Sequence, residues 1–203
     1  MDLYLLLAFI PAALALNLTP GADMMFCLGQ GLRSGTRAAV AASAGISTGA
    51  MVHVALAGVG LGALVATVPW LFDVIRWAGV AYLLWLAIGA LRSSAIDQAK
   101  VKPLSASKAF RQGFIVNLSN PKVILFVLAF VPQFVDPAAG PVLVQFLIFG
   151  TLMALGGFVI NGAAGVFASG AGRRLAQGSR VLDYISASVF GALAVRLAIL
   201  ERT

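Results

Sequence analysis

The chain has little of what a soluble or a disulfide-bonded protein needs. Charged residues make up only 10% of its 203 residues, and it has one cysteine, Cys27, and one histidine, His53. A single cysteine excludes an intrachain disulfide framework. A single histidine without a cysteine cluster argues against a structural metal site, because such sites take four ligands of these types. We therefore expect no metal and no other cofactor, and so low a charge content argues against a soluble domain.

Apolar residues dominate the chain instead. They form 61% of it, and the mean hydropathy is +0.98. About 20 apolar residues cross a bilayer as a helix, and six segments meet this requirement, at about 3–27, 39–66, 69–91, 112–134, 142–168 and 181–200. The sequence predicts an all-α integral membrane protein with six transmembrane helices in one domain, residues 1–203. The start of the chain lacks the positive region of a cleaved signal peptide, so we expect the first segment to be retained.

The positive charges are concentrated in three connections between these segments. Short loops rich in lysine and arginine stay in the cytoplasm, which predicts a multi-pass protein with both termini on the outer side. The cations lie in separate short loops without interleaved aromatic residues or a recognition motif, which argues against nucleic-acid binding. Ten of the 14 cations lie in the three connections: Arg33, Arg37, Arg92, Lys100, Lys102, Lys108, Arg111, Arg173, Arg174 and Arg180.

Two short polar segments, each with a proline, interrupt the apolar pattern. They lie at residues 17–23 and 117–122, in the first and fourth segments, and begin with Asn-Leu-Thr and Asn-Leu-Ser. Three crossings per half turn the second half upside down relative to the first. The matched breaks therefore predict an inverted 3+3 repeat, with halves at about 1–92 and 106–203 and a cytoplasmic linker at about 93–105.

The two breaks supply the candidate substrate-binding groups. Pro20 and Pro121 each lack a backbone donor and are predicted to kink their helices. Interrupted helices persist at membrane depth where the freed backbone lines a cavity. A packing kink without any binding role is the alternative. We expect one binding site formed by both breaks, from Asn17, Thr19, Gly21, Asp23, Asn117, Asn120 and Lys122.

Three ionisable residues lie within the apolar segments and are candidates for charge transfer. A carboxylate near a helix centre costs about 2.5–3.5 kcal/mol on insertion scales, and such groups usually mark a substrate or proton path. We predict that Asp23 binds substrate and exchanges protons, paired with Lys122 of the other half. Alternatively, Asp23 lies at the cytoplasmic interface and Lys122 holds the unwound backbone at Asn120 and Pro121. His53 is expected to relay protons or to be a hydrogen-bonded packing residue.

The order and spacing of several motifs resemble one family of transporters. The motifs are Thr19-Pro20-Gly21-Ala22-Asp23-Met24-Met25, residues 77–86, residues 110–114, Asn117 with Asn120-Pro121-Lys122, and Pro132-Gln133-Phe134. Together they are similar to the LysE/RhtB family of amino-acid exporters over nearly the whole chain. The family's second proline at the first break is Ala22 here, which implies a milder kink.

The resemblance implies a secondary exporter in the inner membrane of a bacterium. Such a protein moves an amino acid or a close derivative outward, driven by the proton gradient. Substrates in the family include lysine, arginine, threonine, homoserine, homoserine lactone and leucine. The expected partners are therefore an amino-acid substrate and membrane lipid. Glycines in the second and fifth segments permit close helix packing, either within the chain or in a homodimer.

Other classes of protein fit these residues less well. A membrane-embedded enzyme needs a serine elbow, paired carboxylates or an HExxH motif, and none occurs in the apolar segments, so we expect no catalytic residue and no enzyme. A metal-ion or small-ion exporter needs clustered carboxylates or cysteines, or a filter of carbonyl groups. An accessory assembly protein needs no buried charges. Asp23 and Lys122 distinguish that last class from an exporter.

Overall fold

The computed structural model describes residues 3–67 and 103–170, together with single positions at 74, 77, 80, 81, 84, 85, 88, 188, 191 and 195. No strand occurs in the described part, which confirms the all-α class. The predicted segments 69–91 and 181–200 lie outside the described residues except for those single positions. The helices with described bounds are α1 (Leu3–Leu18), α2 (Ala22–Ser34), α3 (Thr36–Thr67), α4 (Ala106–Leu118), α5 (Pro121–Ala129) and α6 (Val142–Ser169).

Two helices are long and apolar enough to cross a membrane without interruption. They are the Thr36–Gly60 portion of α3, with 25 residues, and α6, with 28 residues. The pairs α1–α2 and α4–α5 meet the same requirement when each pair is taken as one broken span, and each pair bends by 53° at its break. The described residues therefore hold two to four candidate spans, where four were predicted, and the total of six is not confirmed.

Two predicted helix boundaries are wrong. The first span was expected to end at residue 27, but α2 continues to Ser34. Gly35 follows as the C-cap and has a φ of 80°. The fourth span was expected to begin at 112, but α4 begins at Ala106. The added turns of α4 are amphipathic, with Lys108 exposed and Ala109 buried. A search for apolar runs misses such extensions because only one face of the helix is apolar.

The first break follows from the loss of backbone donors after α1. Pro20 has no N–H to continue the helix. The Thr19 hydroxyl instead donates to the Ala15 carbonyl at 2.6 Å, within the last turn. Gly21 is extended and precedes the first residue of α2, Ala22. The chain therefore leaves α1 and starts a second helix within three residues.

The second break is a helix start with a side-chain cap. Asn120 Oδ1 accepts a hydrogen bond from the Lys122 backbone N–H at 3.0 Å, and Pro121 occupies the first helical position of α5. Both features are favoured at helix N-termini, because the cap satisfies a free donor and proline has no donor to satisfy. The kink at residues 119–120 thus has a local cause in the sequence.

Glycines bring the helices of the two breaks against the long helices. A Cβ at Gly45 of α3 would collide with the Phe110 carbonyl of α4, and one at Gly113 of α4 would collide with the backbone of α3. A Cβ at Gly31 of α2 would likewise collide with the Gly165 carbonyl of α6. These glycine faces pack within the chain, as in small-residue crossings of membrane helices. A homodimer remains a prediction that needs another surface.

We expect Gly45→Ala to destabilise the protein, while Gly60→Ala, on the same helix, is neutral or slightly stabilising. The added methyl at Gly45 meets main-chain atoms that cannot rotate away, whereas none of the residues that the structure describes lies within 4 Å of a Cβ at Gly60. Overpacking of this kind typically costs about 1–3 kcal/mol. Thermal unfolding of the two purified variants in detergent measures the difference. Equal unfolding temperatures would contradict the close α3–α4 crossing.

A cluster of phenylalanines joins α1, α6, and α5 with the short 3-10 segment that follows it, Val131–Phe134. Ring centroids within it lie 4.8–6.5 Å apart, at tilted or edge-on angles. Such offset contacts add to the stability that burial provides. The rings belong to a larger cluster of buried apolar side chains in the described part of the chain. The members are Phe9, Phe126, Phe130, Phe134 and Phe149.

Candidate functional site

Lys122 joins the two breaks directly. Its Nζ donates to the carbonyl of Leu16 at 2.9 Å and to the carbonyl of Thr19 at 2.9 Å. Both carbonyls belong to the end of α1, where the last helical C=O groups have no partner within the helix. The side chain is buried, so its charge is stabilised by these oxygens and not by water. The second break therefore completes the hydrogen bonding of the first.

Asp23 lies in the first turn of α2 and is only 6% exposed. Its Oδ2 accepts a hydrogen bond from Asn117 Nδ2 at 2.9 Å, so a residue from each break forms this contact. The other carboxylate oxygen, Asp23 Oδ1, has no partner at hydrogen-bond distance in the described part of the chain, and neither has Asn117 Oδ1 or Asn120 Nδ2. Unpaired buried polar atoms are rare, and two of these three are acceptors. The Asn120 side chain nevertheless interacts with the Asp23 carboxylate, so the amide of the second break lies close to it.

The direct Asp23–Lys122 pair expected from the sequence is absent from the described residues. Lys122 bonds to the carbonyls of Leu16 and Thr19, and Asp23 bonds to Asn117. The alternative expectation, in which Lys122 holds the backbone of its own break, also names the wrong carbonyls. The lysine reaches across to the other break, where carbonyls at the end of α1 have no partner within the helix.

A small cavity lies beside Asp23. Its volume is about 20 Å³, which accommodates about one water molecule. An amino acid is several times larger than this cavity. Three of the predicted site residues, Asn17, Asp23 and Asn117, line the cavity. The full lining is Leu16, Asn17, Asp23, Ile46, Ser47, Ala50, Asn117, Val123, Met153, Ala154, Gly157 and Asn161.

The remaining predicted site residues do not line this cavity. Thr19 uses its hydroxyl within α1, and Asn120 uses its Oδ1 to cap α5. Gly21 lies against the lysine, since a Cβ there would be 3.2 Å from Lys122 Nζ. His53 Nε2 lies 3.2 Å from the Asn117 carbonyl, so the ring contacts the second break and not the Asp23 carboxylate.

Each break also contacts a long helix of the other half of the chain. Asn17 donates to the Met153 carbonyl at 3.0 Å, and its Oδ1 lies 3.1 Å from the position of a Cβ at Gly157 of α6. Asn117 lies against Gly49 of α3, where its Oδ1 would be 2.9 Å from a Cβ. Each asparagine that begins a break thus packs on a glycine of a long helix.

Two polar residues of the cavity were not anticipated from the sequence. Ser47 of α3 donates to the Ala154 carbonyl at 3.0 Å, and Asn161 projects from the middle of α6. The available signal was that Asn161 is an amide in the interior of an apolar 28-residue helix, and polar groups at that depth are often functional. Within the described residues, no group of three histidine, cysteine, aspartate or glutamate side chains lies together as a metal site.

This chain is apolar and helical, and its broken helices meet at a buried polar site. These features are typical of membrane transporters. Within that class the chain belongs to the LysE type translocator family, whose model matches residues 14–201. The resemblance noted in the sequence is thereby confirmed.

Named relatives agree with this family. The homoserine/homoserine lactone efflux protein of Salmonella typhimurium is 39% identical over 145 residues, covering 70% of each chain. The leucine efflux protein of an Enterobacter species is 32% identical over 156 residues, covering 74% of this chain and 73% of the relative. The leucine efflux protein of Salmonella choleraesuis is 29% identical over 204 residues, covering 95% of this chain and 94% of the relative. No solved structure gives a significant match.

Proposed function

We propose that the protein exports an amino acid or a close derivative from the cytoplasm of a bacterium, coupled to the proton gradient across the inner membrane. The observation that carries the proposal is the pair of unpaired buried acceptors, Asp23 Oδ1 and Asn117 Oδ1, beside the cavity. A buried carboxylate with a free oxygen favours a cation that donates hydrogen bonds. The ammonium group of an amino acid meets both conditions.

The relatives support the same substrate type. They are named for efflux of homoserine, homoserine lactone and leucine. In each of these molecules the ammonium group is on the carbon next to a carbonyl group. The rest of each molecule, apart from that carbonyl group, carries no charge. The lining offers one acid, Asp23, and apolar side chains such as Ile46 and Met153. Such a lining matches one ammonium group and a small neutral side chain better than it matches a second positive charge.

We propose further that transport follows from two inverted halves rocking about the breaks. The two bends of 53° and the contacts of Asn17 with Gly157 and of Asn117 with Gly49 support this arrangement. In this proposal each half has three spans, the termini lie outside, and residues 93–105 join the halves in the cytoplasm. The closed cavity then opens to one side at a time, as alternating access requires.

Proton coupling in this scheme rests on competition at Asp23. A carboxylate that has taken a proton no longer attracts an ammonium group. A proton that arrives from the outer side therefore releases the substrate, and its loss to the cytoplasm restores the site. His53 contacts the second break through the Asn117 carbonyl. Its part in proton transfer remains a prediction, as does a simple packing role.

Asp23→Asn tests the proposed function. We expect at least a tenfold loss of amino-acid efflux, because a charge-assisted hydrogen bond contributes roughly 1.5–3 kcal/mol and this variant loses the charge. The measurement is efflux from proteoliposomes loaded with an amino-acid mixture, with the outside made acidic. Asp136→Asn is the matched control, since Asp136 is exposed in a loop outside the cavity. Normal efflux by folded Asp23→Asn, or no efflux by the unaltered protein, would contradict the proposal.

A further inference from the structure

Asn161 is a buried amide without a role in the fold. It is 4% exposed and lines the cavity from the middle of α6. In the described part of the chain its side chain makes no hydrogen bond, whereas Asn17 bonds to Met153 and Ser47 bonds to Ala154. Its amide is not enclosed by protein alone, because Asn161 lines the cavity, which has room for about one water molecule. Its place in the cavity points to a ligand as the missing partner.

The surroundings of Asn161 determine which part of a ligand it meets. Asp23 and Asn117 leave acceptor atoms free, so they suit a donor such as ammonium. Asn161 brings free N–H donors to the same cavity. Gly157 lies one turn earlier on α6 and also lines the cavity, and Asn161 Nδ2 lies 3.9 Å from the position of a Cβ there. The cavity thus offers acceptors for one end of a ligand and donors for the other.

We propose that Asn161 donates a hydrogen bond to the α-carbonyl oxygen of the substrate while Asp23 holds its ammonium group. The inference rests on the proposed function and adds a residue that recognises the carbonyl end of the substrate. Lys122, a candidate binding residue from the sequence, does not take this part, because it bonds to backbone carbonyls and does not line the cavity. The substrate class is a 2-amino carbonyl compound, either the free acid or its neutral ester, lactone or amide.

Binding measurements on the purified full-length protein, with matched probes, test this assignment. The pairs are leucine with leucinamide, and homoserine with homoserine lactone, which differ in charge at the carbonyl. Asn161→Asp has nearly the same shape but places a negative charge beside that group. We expect it to weaken binding of the free acid relative to the neutral partner by at least about tenfold. The added charge affects the ammonium of both probes alike, so the ratio isolates the carbonyl end.

Gln145→Glu is the matched control for this experiment. It makes the same amide-to-acid change on the same helix, at a buried glutamine whose hydrogen bonds go to the loop at Asp136 and Gly140, outside the cavity. We expect no change in the ratio of the two affinities. An Asn161→Asp ratio equal to that of the unaltered protein would overturn the assignment.

A second variant keeps the inference testable if Asn161→Asp does not fold. Asn161→Ala removes the donor without adding charge. It should weaken binding of leucine and leucinamide. Binding of 3-methylbutylamine, which has the same side chain and no carbonyl, should not change. Equal weakening for all three probes would overturn the role of Asn161. Absence of binding of every probe to the unaltered protein would contradict the proposed function itself.

Discussion

Lys122→Met is expected to leave little folded protein in the membrane and no measurable transport. The ammonium group of Lys122 provides the hydrogen bonds at 2.9 Å to the carbonyls of Leu16 and Thr19. Methionine fills a similar volume but donates nothing, so two carbonyls at the end of α1 lose their partner in an apolar interior. A buried polar group left unsatisfied costs roughly 1–3 kcal/mol. This one substitution leaves two buried carbonyls without a hydrogen-bond donor. Thermal unfolding in detergent measures the loss.

Lys108→Met provides the matched control, because Lys108 is exposed near the start of α4. We expect its unfolding temperature to equal that of the unaltered protein. The double variant Asp23→Asn with Lys122→Met then separates two explanations. If the lysine serves mainly to neutralise Asp23, removing both charges should restore stability. If it serves the carbonyls of α1, the double variant should be no more stable than Lys122→Met alone, which is the result we expect.

The sequence predicted the position of the breaks because their causes are local. Pro20 and Pro121 lack a donor, and Asn120 is a residue type that caps helices, so the kinks are encoded within a few residues. The long helices α3 and α6 were also predictable, since apolar length alone identifies a membrane span. The burial of Asp23 followed from its place inside an apolar segment. These features depend on residue type and order, which a single sequence displays.

The contacts between the breaks were not predictable in the same way. Lys122 bonds to backbone carbonyls, and every residue has a carbonyl, so no residue type marks the acceptor. Charge alone suggested Asp23 as the partner. Asn161 and Ser47 were missed because their inclusion in the cavity depends on how α6 and α3 are rotated about their axes. That rotation is set by packing, for instance by the close approach of Asn17 to Gly157.

Joining α3 to α6 at one end is expected to stop transport completely. Thr36 begins α3 and Ser169 ends α6, and their hydroxyl oxygens lie 2.7 Å apart. In the proposed repeat these residues belong to different halves, at the cytoplasmic end. Cysteines at both positions would bring two sulfur atoms close enough for a disulfide with little backbone movement. If the halves must separate there to admit substrate, the disulfide holds α3 and α6 in the contact that the structure shows.

The experiment uses Thr36→Cys with Ser169→Cys in a Cys27→Ala background, because Cys27 is the chain's own thiol. Oxidation should reduce efflux from proteoliposomes to the level of empty vesicles, and dithiothreitol should restore it. Each single cysteine variant should respond to neither treatment. Efflux that persists when mass spectrometry finds nearly all of the protein cross-linked would mean that α3 and α6 move as one body. The substrate would then have to enter elsewhere, between the breaks and the long helices, and the rocking halves would not be those that the repeat defines.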